Sequence, residues 1–81
     1  MISVQFEGDW NDFSAKTALV TLGGRWVCDA RMIFAAAMKK QNDGWAVTIH
    51  TDYGQMIVVR REKKAAMRIF KILRRAIGYY K

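Results

Sequence analysis

Apolar residues recur every three or four positions near the C-terminal end of the chain: Ala66, Ile69, Phe70, Leu73, Ile77 and Tyr80, with Lys and Arg filling most positions between them. That spacing puts the apolar set on one face of a 3.6-residue helix and predicts an amphipathic α-helix over residues 62–77, about 24 Å long. Gly78 then falls where a left-handed C-cap would stop it, with Tyr79 folding back near Leu73. Glu62 sits in the first turn, where the helix dipole favours an acid.

The first sixty residues follow a different period. Gly8-Asp9, Gly23-Gly24, Asn42-Asp43-Gly44 and Asp52-Tyr53-Gly54 are turn sequences, and the stretches between them alternate or are rich in β-branched residues. Residues 2–6 read as one strand. Gly23-Gly24 suits a two-residue loop between strands at 18–22 and 25–28, pairing Leu19 with Cys28 and Val20 with Val27. Residues 48–51 and 55–59 flank a three-residue loop ending at Gly54.

Residues 30–40 satisfy two patterns. Four alanines, two methionines and Asp29 as an N-cap suit a second helix. Strand register gives the other reading: if residues 41–44 form a hairpin loop, Met38 lies opposite Val47, Ala36 opposite Ile49 and Phe34 opposite Thr51, and the next hairpin brings Val59 and Ile57 beside them. Phe34, Ala36, Met38, Trp45, Val47, Ile49, Ile57 and Val59 then share one apolar face for the C-terminal helix to cover. Two turns agreeing on one face favour the strand. The expected fold is α+β, an antiparallel β-meander of four to six strands with the C-terminal amphipathic helix packed on one face; a second helix at about 30–40 is the alternative. The other sheet face, with Ala35, Ala37, Lys39, Ala46, Thr48, His50, Met56, Val58 and Arg60, is expected under the N-terminal strands or, failing that, in a homodimer.

Composition adds limits. With 81 residues, a chain buries too little surface to divide its core, so one domain over residues 1–81 is expected. Its 52% hydrophobic content and ten aromatics place it outside disordered compositions. The single Cys28 has no intramolecular disulfide partner, and the first residues lack a basic segment followed by an apolar run. A buried, inert thiol and a cytoplasmic location are the corresponding expectations. No stretch approaches the length of a membrane span.

Charge changes the picture most. Residues 60–81 hold nine basic residues against one acid, a net +8, whereas residues 1–59 sum to −1. On a helical projection Arg61, Lys64, Arg68, Lys71 and Arg75 fall within about 80° of one another, opposite the apolar stripe. Pairs such as Lys64/Arg68 and Lys71/Arg75 repel by about 0.2–0.5 kcal/mol each, and an anionic partner would relieve them. These five residues, with Arg60 and Lys39 at the sheet rim, are the candidate binding set for nucleic-acid phosphates or, alternatively, for an acidic protein surface, as in a small adaptor or inhibitor of the kind that phages and mobile elements encode. Membrane binding is not expected, because the core needs the helix's apolar face. A third expectation is a self-assembling structural module held through the flat sheet face.

Catalysis has little material. His50 is the only histidine, and the N-terminal acids Glu7, Asp9, Asp12, Asp29, Asp43 and Asp52 mostly occupy turns. Asp9 and Asp12 have no third ligand in step with them, and Gly23-Gly24-Arg25 lacks the remainder of a phosphate loop. No zinc pattern or RNA-recognition signature accompanies the exposed aromatics. The expectation is a non-enzymatic protein with no cofactor and no metal.

Overall fold

In the computed structural model, which describes residues 2–4 and 10–80, alternation and turn chemistry produce short strands and one long helix. In chain order these are β1 (Ile2–Val4), β2 (Asp12–Ser14), β3 (Leu19–Leu22), β4 (Trp26–Asp29), a 3-10 turn (Ala30–Met32), β5 (Ile33–Gln41), β6 (Gly44–Thr51), β7 (Gly54–Arg60) and α1 (Lys63–Tyr80). β2-β3-β4 and β5-β6-β7 are two antiparallel meanders in separate sheets, and β1 joins the second, running parallel to β7. The α+β class and the single C-terminal helix are as expected. The strands divide between two sheets, and residues 5 and 6 of the first expected strand lie outside those described.

Strand register decides residues 33–41. Met38 pairs with Val47 and Ala36 with Ile49, so the stretch is a strand and the alternative helix is confined to one 3-10 turn. Asp29 caps that turn, its carboxylate accepting from the Arg31 N–H at 2.9 Å. Phe34 departs from the expectation. A bulge between Ile33 and Ala35 turns Phe34 out, 52% exposed, while Ile33 enters the core at 1%. Ile33 and Ala36 are three positions apart, an odd number, and in a regular strand would point to opposite faces. The bulge lets both face α1.

The β6-β7 hairpin is one residue out of the expected register. Thr51 pairs with Gly54 around a two-residue tip, so Val58 rather than Val59 lies opposite Val47, and Met56 rather than Ile57 opposite Ile49. Thr51 holds this turn: its hydroxyl donates to the Gly54 carbonyl at 3.0 Å and accepts from the Tyr53 N–H at 3.2 Å. At the other hairpin, between Gln41 and Gly44, a Cβ on residue 44 would run into the Arg60 carbonyl oxygen, so only glycine fits the close approach of β7.

Gly23 and Gly24, both left-handed at φ 63° and 68°, form the β3-β4 turn with Arg25 as a third loop residue. The extra residue pairs Val20 with Cys28 and Thr21 with Val27, one step from the sequence reading. Residues 10 and 11 close over this turn: the Gly24 N–H donates to the Trp10 carbonyl at 2.9 Å and the Gly23 N–H to the Asn11 side chain at 3.0 Å.

α1 lies against β5, β6 and β7 and is flanked by β2, β3 and the 3-10 turn. Its buried residues Ala66, Ile69, Leu73 and Ala76 enter a core shared by Phe13, Val20 and Leu22 from the first sheet and Ile33, Val47, Ile49 and Val58 from the second. β2 and β3 therefore pack beside the helix and not on the far face of β5-β7, where the N-terminal strands are expected, and Met56, Val58 and Arg60, expected on that far face, lie on the helix side. On that far face Ala37 is exposed and Thr48, His50, Ile57 and Val59 are half-buried, with the His50 ring 6.0 Å from that of Phe34.

Gly78 does not cap α1. The helix runs through it to Tyr80, because the Tyr79 and Tyr80 rings sit 5.8 and 6.2 Å from Phe13 and the Tyr80 hydroxyl donates to the Ala15 carbonyl at 3.2 Å. A glycine inside a helix costs about 1 kcal/mol. Edge-on aromatic pairs contribute about 0.5–1.5 kcal/mol each beyond the area they bury, so two of them match or exceed the cost of the glycine.

The ion pair of Arg31 with Asp29, at 2.6 Å, gives a pH test. Hydrogen bonds from the Arg31 side chain and N–H hold the Asp29 carboxyl down from 3.8 to about 2. Its folded value is depressed, so its contribution is complete above the unfolded value near 3.9 and is lost as pH falls through about 2. Following the Asp29 carboxyl by NMR should give a midpoint near 2, and Arg31→Ala should return it toward 3.8.

Candidate functional site

Helical spacing makes a row of the basic residues. Lys64, Arg68, Lys71 and Arg75 succeed one another at steps of four, three and four along α1, and all four are exposed. They span about 16 Å at 1.5 Å per residue. Arg61, on the bend between β7 and α1, stands ahead of them and is also exposed. Between Lys63 and Tyr80 the helix has no acidic residue. Successive cations lie about 5–6 Å apart along the axis, inside the screening length of about 8 Å at physiological salt, so the row acts as one continuous positive line.

Two expected members stand apart from it. Arg60 is half-buried on the helix side of β7, and its guanidinium donates to the Val59 carbonyl at 3.3 Å. Lys39 is exposed at the same rim but pairs with Ala46, next to Lys40 and Trp45, so alternation points it to the sheet face away from α1. With Lys40, Gln41, Asn42, Asp43 and Val59 it borders a wide, open hollow of about 660 Å³. The four helical cations thus share one face, with Arg61 ahead of them, and the rim pair is not a continuation of it.

Two cations beyond the expected set flank the row. The Lys63 ammonium lies 5.2 Å from the centre of the Trp45 ring, and the Arg74 guanidinium 5.9 Å from that of Phe70. Arg75, at the far end, has its guanidinium 5.9 Å from the centre of the Phe13 ring. Each aromatic face steadies a long side chain that would otherwise sample many rotamers. Tyr79 follows one turn after Arg75 and is exposed. With the helix expected to end at Ile77, Tyr79 is a C-cap contact for Leu73; with the helix continued to Tyr80 it falls at the end of the row.

The remaining chemical groups are dispersed. Among the described residues, no three His, Cys, Asp or Glu side chains gather where they could hold a metal ion, and Asp9 lies outside those residues. Cys28 is half-buried, and its thiol donates to the Asp29 carbonyl at 3.4 Å. Burial, then the nearby Asp29 and Asp52 charges, push that thiol up from its ordinary value. No helix among the described residues is long and apolar enough to cross a membrane. Compared with protein-family models, curated proteins and solved structures, the chain has no significant match, and the cationic row on α1 is the feature on which a functional reading rests.

Proposed function

We propose that this is a small non-enzymatic nucleic-acid-binding protein that lays phosphates along the exposed face of α1, with Arg61, Lys64, Arg68, Lys71 and Arg75 as the contacting residues. The observation that carries the reading is the continuity of the row: four exposed cations at helical spacing on a helix with no acid of its own, and Arg61 exposed on the bend ahead of them. Like charges at these spacings work against the fold, and a polyanion with regularly spaced charges offsets that cost while releasing its own counterions. The helix is pinned by its buried face to both sheets, so the cations are held in place before the partner arrives.

Fluorescence anisotropy with labelled oligonucleotides tests the reading. Five phosphate contacts imply a log–log salt slope of about −3.5 for single strands and −4.5 for duplex, or roughly a 100- to 500-fold loss of affinity between 50 and 200 mM salt. Saturable binding with that slope supports it. Absence of saturable binding at 50 mM salt overturns it and turns the search to an acidic protein surface.

A further inference from the structure

The far end of the cationic row is aromatic. Tyr79 follows Arg75 by four residues and remains 62% exposed, although its ring is fixed from the side: Phe13 meets it at 5.8 Å and 68°, and Tyr80 at 4.9 Å and 72°. Neither contact is a parallel stack. A flat partner can still lie on the ring, and the two neighbours hold it in one orientation while it does so.

We infer that the nucleic acid bound by α1 is single-stranded, and that one unpaired base stacks on Tyr79 while the preceding phosphates run along Arg75, Lys71, Arg68 and Lys64. The inference rests on the phosphate reading above and adds the strand state. In a duplex both faces of an interior base are covered by its neighbours, so only an unpaired base or a strand end presents a face to Tyr79. The exposed arc of α1 also has no Asn, Gln, Ser or Thr for the amide and hydroxyl contacts that help read base edges in a groove. β2, β3 and the 3-10 turn pack against α1. With neighbours at its flanks the helix presents a ridge, and it cannot sink into a major groove about 8.5 Å deep and 12 Å wide as a free-standing helix does. A strand laid over a ridge, with a ring at its end, meets neither obstacle.

Three labelled probes of equal length separate the components: a single strand, the same strand with abasic positions throughout, and a duplex. Each is titrated with the wild-type protein, Tyr79→Phe and Tyr79→Ala. The wild type and Tyr79→Phe should bind the normal strand about tenfold more tightly than the abasic one, and Tyr79→Ala should lose that advantage while keeping its affinity for abasic strand and duplex. Equal wild-type binding of normal and abasic strands overturns the inference, as does an advantage that survives in Tyr79→Ala. Because Tyr79 also touches Phe13, Tyr79→Leu keeps an apolar contact there without an aromatic face, and it decides the matter if the alanine variant unfolds. Failure of the wild type to bind any of the three probes refutes the phosphate reading itself.

Discussion

Replacing Arg68, Lys71 and Arg75 together by glutamate will lower oligonucleotide affinity at least about a hundredfold at 50 mM salt and leave the fold in place. Three of the five cations in the row become anions, so the remaining two, Arg61 and Lys64, face a polyanion across three like charges. Stability should change little, and the local terms show why. Lys64 with a glutamate at 68 turns a repulsive pair into an attractive one worth about 0.2–0.5 kcal/mol, whereas glutamates at 71 and 75 repeat the repulsion that Lys71 and Arg75 had. Loss of the Arg75 contact with Phe13 costs about 0.5–1 kcal/mol. These helix-pair and Phe13 terms come to within about 1 kcal/mol, a midpoint shift of several degrees at most for a domain of this size. Circular dichroism should therefore show an unchanged helix. Binding by the variant at wild-type affinity would remove the row from the interface.

Leu73→Ala should give the largest loss of stability, about 2–5 kcal/mol, lowering the thermal midpoint by of order 10–30 °C. Leu73 has no exposed surface and lies in the core cluster that both sheets share, with Phe13, Val20 and Leu22 from one and Val47, Ile49 and Val58 from the other. Neither sheet can close over the gap without moving the helix away from the other, so the cavity persists and its cost adds to that of the lost apolar surface. A domain of this length has about 4–12 kcal/mol of stability in all, so the substitution removes a large part of it. Ile77→Ala is the internal comparison: Ile77 is only half-buried and should cost clearly less. Equal midpoints for the two variants would mean that the helix is not wedged between the sheets. The measurement also bears on function, because cations on a loosened helix would lose their fixed spacing.

How legible each element was depended on whether the deciding force was local. The pairing of Met38 with Val47 and of Ala36 with Ile49 could be read because both strands alternate and a short turn joins them. The cationic row was equally plain, since steps of three and four residues place side chains on one helix face wherever that helix lies. Phe34 could not be placed. Ile33 and Phe34 are adjacent large apolar residues, and only the shape of the space beneath α1 selects Ile33 and requires the bulge. The β6-β7 register is a similar case: Met56, Ile57, Val58 and Val59 are all apolar, so a slip of one residue leaves the pattern almost unchanged, and the Thr51 turn together with burial of Val58 chooses between them.

By itself the sequence determined the α+β class and the amphipathic helix with its cations on one side, and it favoured the β5-β6 pairing over a second helix, because each follows from backbone geometry acting over a few residues. Only the tertiary structure decided that the strands divide into two sheets, that β1 adds in parallel beside β7, and that α1 continues through Gly78 to Tyr80. The physical reason is that these outcomes depend on partners far apart in the chain. A glycine ends a helix when nothing lies beyond it, and it is carried within the helix when Phe13 and the Ala15 carbonyl, more than sixty residues earlier, engage the tyrosines that follow.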